Sequence, residues 1–255
     1  MLDDSSRLVV CLMDGPYILR GGRPAAVPEG GKRLLVFVAL HGGRVDRRHA
    51  AGILWPDVTE HRASGNLRSA LWRLRSAGID VVETTSTTIN ISPNIVIDIR
   101  TIVDWSDRII HGDPATADLA VPESAPHVVE LLPGWYDDWV LIERERLRQK
   151  LLHALETLCG RLLALGKFAE AIDAAMGAIA IEPLRESSQR ALVEAHLAEG
   201  NLNEARRAFD NYVRLAFDEL GVLPSTPYMQ LITEHLRSRQ RTDLVTTSSG
   251  STDLR

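Results

Sequence analysis

An α+β N-terminal half followed by an all-α C-terminal half is the fold class this sequence predicts, and three observations predict it. Within residues 7–98, short β-rich runs come first, three helical runs follow, and two β-branched runs close the segment. From Thr101 onward the pattern is mostly helical, and Gly166, Glu170 and Ala171 recur 34 residues later as Gly200, Glu204 and Ala205. Charge is also divided. Residues 1–100 carry 13 Lys+Arg against 10 Asp+Glu, and the remainder carries 16 against 24, in a chain of net charge −5.

The N-terminal elements follow in order. RLVVCLMDG and YILRGG, inside residues 7–30, are short, β-rich and bounded by Gly and Pro, so they predict strands. KRLLVFVALHGG predicts a helix from Lys32 to a Gly-Gly stop. DRRHAAGILWP predicts a helix capped by Asp46 that ends before Pro56. A third helix begins near Thr59 or Glu60 and runs to Gly78, the glycine expected just past a helix end. VVETT and TINIS then predict a hairpin, although no Asn-Gly turn joins them. Strands, three helices and a hairpin over residues 7–98 make a winged helix-turn-helix preceded by a small sheet.

Residues 99–240 predict a helical domain. Gly112 to Pro133, rich in Pro, Ala and Asp, reads as an irregular connection. The amphipathic stretch that follows is broken at Gly166 and Pro183. A 34-residue period is that of tetratricopeptide helix pairs. The first pair supplies Leu155, Leu158, Cys159, Leu162, Ala171, Ala175 and Pro183, and the second Gln189, Leu192, Val193, His196, Ala205, Phe209 and Phe217. The alanines fit tight helix packing, while the aromatic positions of the repeat are poorly filled. Thr226 to Leu236 is expected to cap the stack, and residues 241–255 to form a disordered tail.

The acidic total conceals a basic patch. Residues 33–75 hold 8 Arg against 3 acids, and nucleic acid responds to such a patch rather than to the net charge. In the third helix Leu67, Leu71 and Leu74 share a face and predict its buried side. Arg62, Asn66, Ser69 and Arg73, spaced i, i+4, i+7, i+11, are read as the opposite, base-facing side. A guanidinium fork matches guanine O6 and N7, and an Asn amide pairs with adenine in the same manner. Small Gly65 and Ser69 let the helix approach a groove closely. Arg68 and Arg75 on the flank, Arg47 and Arg48 on the preceding helix, and the hairpin hydroxyls of Thr85 and Thr87 suit phosphates. The helix N-terminus near Asp46 is expected to help them. An isolated Arg-rich face is most often simply solvated. A place third in a helix-turn-helix, ahead of a hairpin, favours the nucleic-acid reading. Trp72 lies near the exposed side and either packs against the hairpin or linker helices or marks a protein contact.

Other chemistry is weakly signalled. GGKR at Gly30 to Arg33 lacks phosphate-loop spacing, and Lys32 and Arg33 are expected to meet DNA phosphates or nothing. The eight histidines show no metal-binding spacing, and no nucleophile elbow is present, so neither a cofactor nor an enzyme is expected. Asp137 and Asp138 are adjacent and predict a helix cap. Cys11 and Cys159 are distant and unpaired in pattern, no stretch is long enough to span a bilayer and no leader is apparent, so the cytoplasm is the expected compartment.

LLVFVALHGGRVDRRHAAGILWPD, SALWRLR, VVETTSTTINI, LLPGWYDDWVLIERERLRQ and FDELGVLPSTPYMQLI occur in this order and cover nearly the whole chain. Together they resemble the Streptomyces antibiotic regulatory protein family. The N-terminal half is similar to the DNA-binding domain of response regulators, and the helical half to the bacterial transcriptional activator domain. The resemblance implies a transcription activator that binds direct repeats in double-stranded DNA near promoters as a dimer and recruits RNA polymerase holoenzyme. Neither a receiver domain ahead of the winged helix nor an ATPase module after the helical domain is expected. The family's hairpin tip carries an Arg and a Gly-Tyr; here Thr85 and Thr88-Ile89 stand in those places, which implies a wing with less charge to offer DNA. Two other readings stay open: an adaptor that holds a peptide or partner protein in its tetratricopeptide-like half, and a repressor with the same fold.

Overall fold

The computed structural model describes residues 8–125 and 130–231. The chain forms two compact units, Met1–Trp105 with Pro122–Lys150, and Ser106–Val121 with Leu151–Arg255.

The first unit opens with β1 (Leu8–Cys11), β2 (Tyr17–Arg20) and β3 (Arg23–Ala26), an antiparallel meander. The two-residue strand β7 (Val96–Ile97) joins it parallel to β1, giving the order β3-β2-β1-β7. Asp98 fixes that junction. Its carboxylate accepts the N–H groups of Leu12 and Met13 at 2.7 and 3.0 Å. Three helices follow: α1 (Glu29–Leu40), α2 (Arg47–Leu54) and α3 (Glu60–Ser76). The expected hairpin is β5 (Val82–Thr84) with β6 (Thr88–Ile91), and β4 (Arg44–Asp46) extends it to a sheet of order β4-β6-β5. This is the winged helix-turn-helix. Gly78 adopts φ +68°, as its place after α3 requires.

α1 begins three residues before the expected Lys32, so Gly30 and Gly31 lie inside its first turn. Helix packing explains them: a Cβ on Gly31 would stand 2.6 Å from a methyl of Leu74 on α3. The glycines therefore permit close approach of two helices rather than forming a loop. Lys32 and Arg33 meet carboxylates, those of Glu29 and Asp137. Asp137 thus sits at the start of the next long helix with its side chain turned to Arg33 instead of capping.

The LLPGW turn also belongs to this unit. Arg144 donates to the carbonyls of Leu131, Leu132 and Trp135 at 3.0, 3.0 and 3.2 Å, gathering the turn around one guanidinium. Trp139 packs edge-on against Phe37 of α1, with ring centroids 5.3 Å apart.

Two helices pass from the first unit into the second: α4 (Asp98–His111) and α5 (Asp138–Ala164). The second unit is completed by α6 (Phe168–Ile181), α7 (Glu186–Glu199) and α8 (Leu202–Leu220), with a helical stretch over 226–231. The 34-residue repeat extends to individual backbone bonds. Gly166 N–H reaches Leu163 O at 3.0 Å and Lys167 N–H reaches Leu162 O at 2.9 Å; Gly200 and Asn201 repeat this to Leu197 and His196 at 3.1 and 2.8 Å. Gly166 and Gly200 take φ of +72° and +88°, and Ala171 and Ala205 are fully buried. Phe217, placed in the repeat by spacing, is instead 59% exposed. The aromatic packing comes from Phe209, Tyr212 and Tyr228, whose rings lie 5.1 and 5.5 Å apart about Tyr228. Residues 232–236 of the expected cap, and the expected tail, lie outside the described residues.

Candidate nucleic-acid interface

The helix-turn-helix is held in register by short polar contacts. Asp46 caps α2, its carboxylate accepting the N–H groups of Arg48 and His49 at 2.8 and 3.0 Å. These bonds, His49 foremost, hold the Asp46 carboxyl below the usual carboxylate range. The N–H of Arg47 donates to Thr87 O at 2.8 Å and ties the hairpin turn to the start of α2. The first three N–H groups of α2 are therefore engaged inside the protein. This corrects the expectation that the helix N-terminus near Asp46 offers donors to a phosphate; on α2 the side chains of Arg47 and Arg48 remain to do so.

On α3 the buried residues are Ala63, Leu67, Ala70, Leu71 and Leu74. The leucines were legible as core; the two alanines were not. Including them turns the centre of the buried stripe by about 20° at 100° per residue. The line facing directly away from the core then runs through Gly65, Ser69, Trp72 and Ser76, each within about 40° of it. Of the four residues read as base-facing, only Ser69 lies on this line. Arg62, Asn66 and Arg73 form one shoulder, and Arg68 and Arg75 the other. All five are exposed.

The two shoulders differ in surroundings. Asn66, Ser69 and Arg73 border a shallow cleft of about 280 Å³ against Glu29, Gly30 and Arg33 of α1. The Arg73 guanidinium lies directly over Gly30, where a Cβ would come within 1.8 Å of its Nη1. Arg62 stands apart in the first turn. On the other shoulder Arg47, Arg48, Ser64, Arg68, Thr85 and Ser86 line an open concavity of about 420 Å³. Three arginines, two from α2 and one from α3, line it beside the hairpin tip. The nearest acid partner is Glu60, 3.8 Å from Arg48, with both side chains largely in solvent. Such an exposed pair contributes little and yields easily to a competing anion.

The hairpin hydroxyls are partly committed. Thr85 Oγ1 accepts the N–H groups of Thr87 and Thr88 at 3.3 and 2.9 Å and shares a hydrogen bond with the Thr88 hydroxyl at 2.9 Å. It shapes the turn that a glycine would otherwise serve. Thr87 is exposed and turns its carbonyl to Arg47. Arg75 donates to Thr84 Oγ1 at 3.1 Å, bracing α3 against β5. Ser69 donates to Gly65 O at 3.2 Å. Ser64 and Ser86 join the concavity unforeseen. Ser64 was accessible to reasoning, since it stands one turn before Arg68.

Trp72 is 67% exposed, so the hairpin does not cover it. Among the described residues no group of three His, Cys, Asp or Glu could hold a metal ion, and no helix is long and apolar enough to cross a membrane.

Comparison with known proteins adds two likenesses. Residues 120–236 match the family described as "Bacterial transcriptional activator domain". The fold is similar to that of Mycobacterium tuberculosis EmbR, solved in complex with a low affinity phosphopeptide, at 19% identity and a TM-score of 0.61. That alignment covers 91% of this chain, which spans 65% of the length of the EmbR chain. No curated protein matches by sequence. The chain thus joins a winged helix-turn-helix to a segment similar to the bacterial transcriptional activator domain, the layout of the Streptomyces antibiotic regulatory proteins that its sequence resembles.

Proposed function

We propose that this protein is a sequence-specific DNA-binding transcription regulator, and an activator. One observation carries the reading: Arg47, Arg48 and Arg68 line one concavity beside the hairpin tip, on the shoulder of the helix a winged helix lays in the major groove. Phosphate contacts of this kind position the helix, and side chains on its outward face select the bases. Arg47, Arg48 and Arg68 hold the backbone. Arg75, Thr85 and Thr87 flank them, with the two threonines contributing less because the turn already uses Thr85. Ser69 lies on that outward face, and Arg62, Asn66 and Arg73 lie along the opposite edge of the groove.

In this reading two copies bind direct repeats near a promoter, the helical unit supplies dimerisation, and RNA polymerase holoenzyme docks on the DNA-bound dimer. The test pairs a mobility shift on upstream promoter fragments with transcription from the same promoter. Expected are a specific complex, its loss in Arg47→Ala/Arg68→Ala, and more transcript when protein is added. Less transcript with an intact complex identifies a repressor. A folded protein that shifts no promoter fragment refutes the reading.

A groove of about 490 Å³ among α6, α7 and α8 favours the adaptor alternative for the second unit. Met176, Ile179, Leu192, His196, Arg207 and Asn211 line it, and His196 Nδ1 is buried there without a hydrogen bond, 3.8 Å from the Glu199 carboxylate. Peptide capture in that groove, insensitive to salt, distinguishes this alternative from DNA binding.

A further inference from the structure

We propose that Trp72 is a specificity-determining residue that reads thymine, its indole lying against 5-methyl groups on the floor of the major groove. This rests on the DNA-binding reading above and refines it.

The argument begins with shape. The line of α3 pointing away from the core carries Gly65, Ser69, Trp72 and Ser76, and Trp72 alone is large. With 67% of its surface exposed it stands out from an otherwise shallow ridge. Whatever receives this helix first meets the indole. Exposing so much apolar surface disfavours the free protein unless a partner covers it.

Charge then selects the partner. Arg62 and Arg73 stand on one side of the indole and Arg68 and Arg75 on the other, all exposed. A protein patch apolar enough to accept the indole would also have to neutralise cations on both sides. The major groove does so by construction, with a phosphate wall along each edge and base edges between them. It is about 12 Å wide and admits one helix. Within it the thymine 5-methyl is the apolar group, and apolar side chains contact it.

The polar residues of the same face leave this role vacant. Arg73 is laid over Gly30, Arg75 is bonded to Thr84, and the Ser69 hydroxyl proton is directed to Gly65 O. Of these only Ser69 lies on the outward line, and its side chain is far shorter than the indole of Trp72. Gly65, about two turns before it, keeps that line low; outside the neighbouring backbone of α3, the nearest atom to where its Cβ would be is Arg68 Nη2, at 3.8 Å.

The experiment uses the full chain. Wild type, Trp72→Ala and Trp72→Phe each select sites from a randomised duplex pool, and the wild-type site is then remade with deoxyuridine replacing each thymidine in turn. This removes one methyl at a time and leaves pairing intact. Wild type is expected to enrich thymine at one or two fixed positions and to lose about fourfold in affinity at each upon uracil substitution, the worth of one buried methyl. Trp72→Ala is expected to be indifferent to the same substitutions, and Trp72→Phe to retain part of the effect. Equal uracil sensitivity in wild type and Trp72→Ala overturns the proposal while leaving DNA binding in place. So does a Trp72→Ala protein that keeps its sequence preference but loses its dimer, which assigns the indole to a protein contact. Failure of folded wild type to enrich any sequence overturns the proposal together with the DNA-binding reading.

Discussion

Gly65 sits in the interior of α3, where glycine costs about 0.8–1.0 kcal/mol relative to alanine. The fold does not require it. Its φ is not positive, and the nearest atom to a built Cβ is Arg68 Nη2 at 3.8 Å, an ordinary contact with a flexible side-chain end. Gly65→Ala is therefore expected to stabilise the first unit by close to the full propensity difference. For a unit of this size that is a rise in midpoint of about 3–5 °C, read by circular dichroism during a thermal scan. Gly65→Leu keeps a good helix former but raises a branched side chain on the line that faces the groove. It is expected to fold as well as the parent and to bind promoter DNA at least tenfold more weakly, because about 8.5 Å of groove depth is already filled by the helix and Trp72. No gain in stability from Gly65→Ala would show that the fold itself needs a glycine at this position. Undiminished DNA binding by folded Gly65→Leu would show that this line of α3 does not face the groove.

Three further outcomes follow from the same contacts. Arg68→Ala is expected to weaken DNA binding evenly across sequences and to reduce the slope of log K against log salt by about one, as for the loss of one phosphate contact; a change in sequence preference instead would place Arg68 on a base. Glu156 binds Arg185 at 2.7 Å and the hydroxyls of Ser187 and Ser188 at 2.6 and 2.7 Å, so Glu156→Ala is expected to cost the second unit about 3 kcal/mol in urea unfolding. Burial opposes the Glu156 charge, but these hydrogen bonds outweigh it and hold the carboxyl below its usual range. The stability difference is thus full above the ordinary carboxylate pKa and disappears as pH falls through the lowered one; a difference that persists in strong acid contradicts the assignment. Burial, with Glu194 nearby, pushes the Cys159 thiol up to about 11, and Cys11 is buried as well. Neither is expected to react with a thiol reagent at pH 8 until the protein is unfolded, and rapid labelling of the native protein would contradict that.

The elements written in local chemistry were legible before the structure. Asp46 announced the start of α2, Gly78 the end of α3, and the glycine pair 34 residues apart the helical repeat. What escaped notice is set by distant partners. β4 and β7 are three and two residues long and exist only through pairing with β6 and β1. Gly30 and Gly31 fell outside the expected helix because their reason, the side chains of Arg73 and Leu74, lies more than forty positions away. The candidate interface was half legible for the same reason. Leucines alone gave the buried face of α3, and Ala63 and Ala70, too small to signal burial by composition, rotated it. That rotation moved Arg62, Asn66 and Arg73 to a shoulder and brought Trp72 to the front. Which donors of α2 were already taken could not be read from residues, since Thr87 closes on Arg47 across forty positions.

The central claim is that a polyanion binds the basic shoulder of α3, and its most direct test is the salt dependence of DNA affinity. The full chain is titrated onto its selected duplex and onto a scrambled duplex between about 50 and 200 mM salt. Engagement of Arg47, Arg48 and Arg68 alone predicts a slope of log K against log salt of about −3 per protomer, with the selected site preferred at every concentration. A flat dependence, or equal affinity for the two duplexes throughout, would contradict the account.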